Sequence, residues 1–108
     1  MKTKLFFIFL LNVGVIFYGY AQNVGIDETG SAPNPSAMLD IKSSSKGLLI
    51  PRVSLTATNN SSPISSPATS LLVYNTNTAG SGATAVTTGF YYWDAAQWVS
   101  SSLLQHNR

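Results

Sequence analysis

The chain is 108 residues long, has no cysteine and a single histidine, and only 9% of its residues are charged, with a formal net charge of +2. Lys2 and Lys4 account for that excess, because from residue 22 onward Lys42, Lys46, Arg52 and Arg108 balance Asp27, Glu28, Asp40 and Asp94. Disulfides and lipid attachment through cysteine are excluded, and without a Lys/Arg cluster to replace phosphate counterions so is nucleic-acid binding.

Residues 1–21 have the layout of a signal peptide. Lys2 and Lys4 form a basic head, Leu5 to Phe17 is apolar apart from Asn12 and Gly14, and Gly19 and Ala21 supply small residues before a cut ahead of Gln22. The apolar stretch is shorter than the roughly 20 residues a membrane-spanning helix needs. The expectation is therefore a secreted or cell-surface protein exported through the inner membrane, with no transmembrane span after cleavage. Removing the first 21 of the 108 residues leaves 87, residues 22–108, enough for one small domain. A domain of this size hides a modest share of its surface. Metal is not expected to help: His106 stands alone, and the carboxylates lack the alternating spacing of a calcium loop. With neither disulfide, metal nor cofactor, stability should lean on partner chains or neighbouring modules.

Helical periodicity of apolar positions is absent, and short apolar runs alternate with Ser, Thr, Asn, Gly and Pro, which predicts an all-β, small antiparallel hairpin-rich module. Val24 and Ile26 stand at strand spacing before Gly30, Pro33 and Pro35 break the chain. Ala37, Leu39 and Ile41 alternate with Met38, Asp40 and Lys42, so one face can be buried. Ser43 to Gly47 reads as a turn into a second strand at Leu48 to Ile50, which Pro51 confines to an edge or ends. These two strands are expected to pair as a hairpin. Residues 53–70 look loop-like, with Leu55 and Ile64 pinning the loop to the core, and Leu71 to Tyr74 reads as a central strand. Residues 75–88 run through Gly80 and Gly82 as a flexible link.

Residues 89–101 form the aromatic hairpin. With Ala95 and Ala96 as the central turn residues, Trp93 faces Trp98, Tyr92 faces Val99 and Tyr91 faces Ser100. Tyr91, Trp93 and Trp98 then share one side and Phe90, Tyr92 and Val99 the other, so both sides are apolar. One side can cover the domain's own core; the other must meet another chain, another module or a ligand. Ala-Ala does not suit a two-residue turn that needs positive φ, and a longer loop opening at Asp94 would shift the register and swap the faces. Tyr91, Trp93 and Trp98 are the candidate ligand or interface contacts, read either as core and interface residues or as a platform that stacks sugar rings.

In their order, Val24 to Ile26, SAMLDI (36 to 41), KGLLIPR (46 to 52), Ser66 to Tyr74 and Gly89 to Trp98 resemble a recurring module of secreted Bacteroidetes proteins that look like phage tail fibres. The resemblance spans roughly residues 23 to 99. It implies a head or shaft module of a secreted, adhesin-like fibre, often trimeric, whose partners are further copies or neighbouring fibre modules. Ser70 and Ala95 stand where such modules usually carry Gly, and the helix-like Gln-Arg stretch expected near Asn59 is missing. Members usually continue into repeats, a coiled coil or a C-terminal domain, which leaves open a truncated fragment of a longer surface fibre.

Catalysis needs a nucleophile with a base, or paired acids in a pocket. The serines show no nucleophile-elbow pattern, and Asp27 and Glu28 lie in a segment of turn character, so no enzyme is expected and no catalytic residue is assigned. The leading expectation is a structural or adhesive fibre-like module. A monomeric module that binds surface glycans through the aromatic hairpin is the competing one.

Overall fold

The computed structural model describes Gly19 and residues 22–102. Apart from Gly19, the signal-peptide segment lies outside these residues, as does His106. Among the described residues the strands are β1 (Val24–Asp27), β2 (Leu39–Lys42), β3 (Arg52–Val53), β4 (Leu72–Asn75), β5 (Gly89–Trp93) and β6 (Trp98–Ser100), with a 3₁₀ turn over Gly82–Thr84. The fold is all-β with mixed strand directions. The chain forms two compact units, one through Lys46 and one from Gly47.

In the first unit β1 and β2 form a two-stranded parallel ribbon, with Val24 opposite Leu39 and Ile26 opposite Ile41. The expected hairpin between residues 36–41 and 46–52 does not form. A turn is present, since the Ser43 hydroxyl accepts from the N–H groups of Ser45 and Lys46 at 3.2 and 2.9 Å. The chain beyond it takes no strand conformation until Arg52. The partner of β2 is instead β1, reached through the Glu28–Met38 connection, long enough to return the chain for a parallel pairing. That connection is shaped by Asp27, whose carboxylate accepts from the Thr29 hydroxyl (2.6 Å) and the Ser31 hydroxyl (2.6 Å). Asn34 N–H donates to Asp40 Oδ2 at 2.7 Å and closes it onto β2.

In the second unit the four strands run in the order β3-β4-β5-β6, with β3 parallel to β4 and the other neighbours antiparallel. Leu72–Asn75 therefore has a strand on each side. The core gathers Leu55, Val73, Val86, Tyr91, Trp93 and Trp98, with Val53, Ile64, Leu71 and Ala79 packed against it. Burying side chains of this size is worth about 1.5–3 kcal/mol each. The 53–70 segment carries no strand beyond Val53, yet it is seated: Leu55 is fully buried, and Thr58 C=O accepts from Trp98 N–H at 2.8 Å.

Residues 75–88 are not a loose link. Ala79 and Val86 exchange backbone hydrogen bonds of 3.0 and 2.8 Å, closing a small antiparallel bridge around the 3₁₀ turn. Asn75, fully buried, uses its whole amide. Its Oδ1 accepts from Leu55 N–H (3.0 Å) and Asn77 N–H (3.1 Å), while its Nδ2 donates to Asn77 C=O (2.8 Å) and Thr87 C=O (2.7 Å). One side chain thus ties both long connections to the sheet, and every polar atom it buries is satisfied.

Candidate functional site

The aromatic hairpin is built by β5 and β6, with Trp93 opposite Trp98, Tyr92 opposite Val99 and Tyr91 opposite Ser100. This register puts Ala95 and Ala96 at the centre of the turn. Ala95 takes φ 88°, a left-handed conformation in which Cβ is crowded. Asp94 supports it: its Oδ1 accepts from the N–H groups of Ala96 and Gln97, both at 2.8 Å, and these bonds hold its carboxyl below the usual carboxylate range, Ala96 contributing most. Ser70, at the head of β4, has φ 73°. Both positions are ones where the resembling modules usually carry Gly, the residue that adopts positive φ without steric cost.

Tyr91, Trp93 and Trp98 are 3, 9 and 1% exposed and point into the core of their own unit. The indoles of Trp93 and Trp98 pack edge to face with centroids 5.1 Å apart. Trp98 Nε1 donates to Asn60 C=O at 3.0 Å, and the Tyr91 hydroxyl accepts from Thr87 N–H at 3.1 Å. Both polar handles are used inside the fold. In this chain the three rings are brought together as core.

The other side of the sheet is open. Leu72 and Phe90 are 49 and 48% exposed, and Tyr74 meets Phe90 edge to face at 5.1 Å. Beside them the exposed Leu48 and Leu49, together with Ile50, Arg52, Tyr74 and Phe90, line a shallow apolar groove of about 150 Å³. That is below the roughly 300 Å³ at which small-molecule pockets begin. The alternation in Leu72 to Asn75 and in Phe90 to Trp93 could reveal this side, since every second residue points to it. Leu48 and Leu49 reach it from a segment that is not a strand, contrary to the strand expected at Leu48 to Ile50.

The acidic groups of the described residues are engaged in local hydrogen bonds and ion pairs. Asp27, at the edge of a polar groove with Glu28, Thr29 and Lys42, has its carboxyl held well below the usual range, chiefly by the Ser31 hydroxyl and then by the Thr29 hydroxyl and N–H. These hydrogen bonds favour its ionised form. Among the described residues no group of three or more acidic or histidine side chains converges as a metal site, and no helix is long and apolar enough to cross a membrane. What the exposed surface offers is apolar area along strands, a means of packing against another protein surface.

Residues 25–107 match the family described as a phage tail like trimerisation region. The chain belongs to that family. No curated protein and no solved structure matches it. A phage tail like trimerisation region is a structural, self-associating element of tail-fibre type. The open apolar side of β4 and β5 is a surface suited to such association, since a monomer would leave it in water.

Proposed function

We propose that this phage tail like trimerisation region is the trimer-forming, non-catalytic module of a secreted or cell-surface fibre. The observation that carries it is the open sheet side: Leu72, Tyr74 and Phe90, flanked by Leu48 and Leu49, form apolar surface on a unit whose other side is already a filled core. Contiguous apolar surface rimmed by polar residues marks a protein interface. Three copies that cover it gain hydrophobic stabilisation that 108 residues without a disulfide otherwise lack. Secretion is supported by the signal-peptide layout of residues 1–21. The absence of a catalytic assignment follows from the carboxylates described above, which are committed to turn hydrogen bonds.

Sedimentation equilibrium of the exported chain tests this reading. The expected result is the mass of three chains, with an amino terminus at Gln22 by mass spectrometry. A well-folded monomer with no tendency to associate overturns it. Adhesion to surface glycans through Tyr91, Trp93 and Trp98 has less support, because these rings are enclosed by their own unit. Tryptophan emission is therefore expected to stay unchanged across a glycan panel.

A further inference from the structure

Lys42, Lys46 and Arg52 are the basic side chains among the described residues, and their surroundings differ. Lys42 belongs to β2, where it stands opposite Asp27, and its Nζ donates to Ala32 C=O at 2.8 Å and pairs with Asp40 at 3.4 Å. Arg52 belongs to β3. The carbonyls on either side of it, those of Pro51 and Val53, accept from Tyr74 N–H at 3.0 Å and Thr76 N–H at 2.8 Å, and Val53 packs against the core. Either residue would have to be pulled out of a sheet before its peptide bonds could be bound in an extended form by another protein.

Lys46 is placed otherwise. Residues 43–51 form neither strand nor helix, and Ser43 to Leu49 are all exposed. The Lys46 side chain is 75% exposed, and its ion pair with Glu28 Oε1, at 2.6 Å, lies at the surface, where such pairs are worth little. Gly47 follows in open space: apart from its chain neighbours, no atom lies within 4 Å of the position a Cβ would take. Leu48 and Leu49 beyond it are 61 and 77% exposed. The Lys46–Gly47 bond is therefore reachable from both sides, in the kind of exposed segment where folded chains are nicked.

The same bond is the boundary between the two compact units. β1 and β2 lie wholly before it, and β3, β4, β5 and β6 wholly after it, so hydrolysis there leaves both sheets whole. Extended segments are recognised by strand addition, and the acidic pocket of a trypsin-like enzyme selects the basic side chain that precedes the bond. We propose that Lys46–Gly47 is a processing site of this protein, taken by a lysine-directed endoprotease that divides the chain into its ribbon unit and its sheet unit. Water adds across the bond as the C–N linkage breaks, leaving a carboxylate on Lys46 and an ammonium on Gly47, with no oxidant or reductant required. Lys46 and Gly47 lie outside the sheet-side surface assigned to the trimer contact, so this site goes beyond that reading and does not rest on it.

Brief digestion of the folded, exported chain with trypsin, read by mass spectrometry, tests the site. The first cut within residues 22–102 is expected to leave Lys46 as a carboxyl terminus and Gly47 as an amino terminus, with the near-ultraviolet circular dichroism of the Trp93–Trp98 pair unchanged. Lys46→Gln should slow the loss of intact chain by about tenfold or more, because cleavage elsewhere waits on local opening of a sheet, whereas Arg52→Gln should leave the first cut where it was. A first cut after Lys42 or Arg52 overturns the proposal. So does a folded chain that resists trypsin able to digest it in urea, or a Lys46→Gln chain lost as fast as the unsubstituted one. A monomer that is cut first at Lys46 overturns the trimer reading and supports this one.

Discussion

Among the described residues, the unit through Lys46 buries none of its large apolar side chains, whereas the unit from Gly47 encloses six around a sheet. Both are organised by the same small device, a side-chain carboxylate or amide that collects backbone N–H groups: Asp27 and Asp40 in the first, Asp94 and Asn75 in the second. The difference lies in what the device supports. In the second unit it ties connections onto a core that already excludes water. In the first it ties a connection onto a ribbon whose apolar residues Val24, Ile26, Leu39 and Ile41 are exposed. Polar turn chemistry can set a local shape, but only apolar burial supplies a large favourable free energy, so the two units should differ in how much they depend on association.

The sharpest way to break this contrast is through the enclosed core. Trp98→Ala removes the largest buried side chain and its bond to Asn60, and should cost about 3–5 kcal/mol, read as a fall in the urea midpoint followed through near-ultraviolet circular dichroism. Next in size is Asn75→Ala. It strands two N–H and two C=O groups without partners, for a loss of about 3 kcal/mol, and amide exchange should quicken first at Leu55 and Asn77.

Gly25→Ala acts on the ribbon alone. The new Cβ meets the Pro33 ring, so about 1 kcal/mol of local strain is expected, visible in the amide resonances of the ribbon and not in the tryptophan signal. Ser70→Gly and Ala95→Gly relieve positive φ and should each raise the midpoint of the sheet unit, by about 0.5–1 kcal/mol, leaving the ribbon unaffected. The two sites are close through the Ser70 N–H to Trp93 C=O bond of 2.7 Å, so a double variant measures whether they add.

The smallest effect is that of pH, and it offers one probe in each unit. The carboxyls of Asp27 and Asp94 are both held below the ordinary range in the fold, by the Ser31 hydroxyl first and by Ala96 N–H first respectively. Because the folded value is the lower one, the unfolded chain takes up protons first on acidification. The contribution of each residue is complete above the ordinary carboxylate value of about 4 and is lost as pH falls through the lower folded value. Asp27→Asn should flatten the acid dependence of the Thr29 amide resonance, and Asp94→Asn that of Ala96, each without altering the other.

Much of the molecule was legible in the sequence, for identifiable reasons. Short apolar runs broken by Ser, Thr, Asn and Pro exclude long helices, so the all-β class follows from composition and period. In 89–101 the alternation of large residues sets which rings share a side, whatever partner the strand takes. Leu55 and Ile64 stand out as pins because a polar segment offers no other large apolar group; Leu55 is in the core and Ile64 packs against it. Ser70 and Ala95, read as departures from a familiar pattern, turn out to occupy left-handed backbone, which explains why Gly is usual there.

Partner choice was decided only by the tertiary structure. A strand's period says which residues face together and nothing about which neighbour it takes or in which direction. The preference of β2 for β1 in parallel, over the nearby 46–52 segment, therefore depends on the clasp formed by Asp27, Asn34, Pro33 and Asp40. In the same way the choice between the two apolar sides of the aromatic hairpin depended on where Leu55, Val73 and Val86 were brought to pack. Those residues are distant in sequence, and their convergence buries Tyr91, Trp93 and Trp98 while it leaves Leu72 and Phe90 facing outward. Local pattern determines what a segment can bury, and long-range packing determines against what.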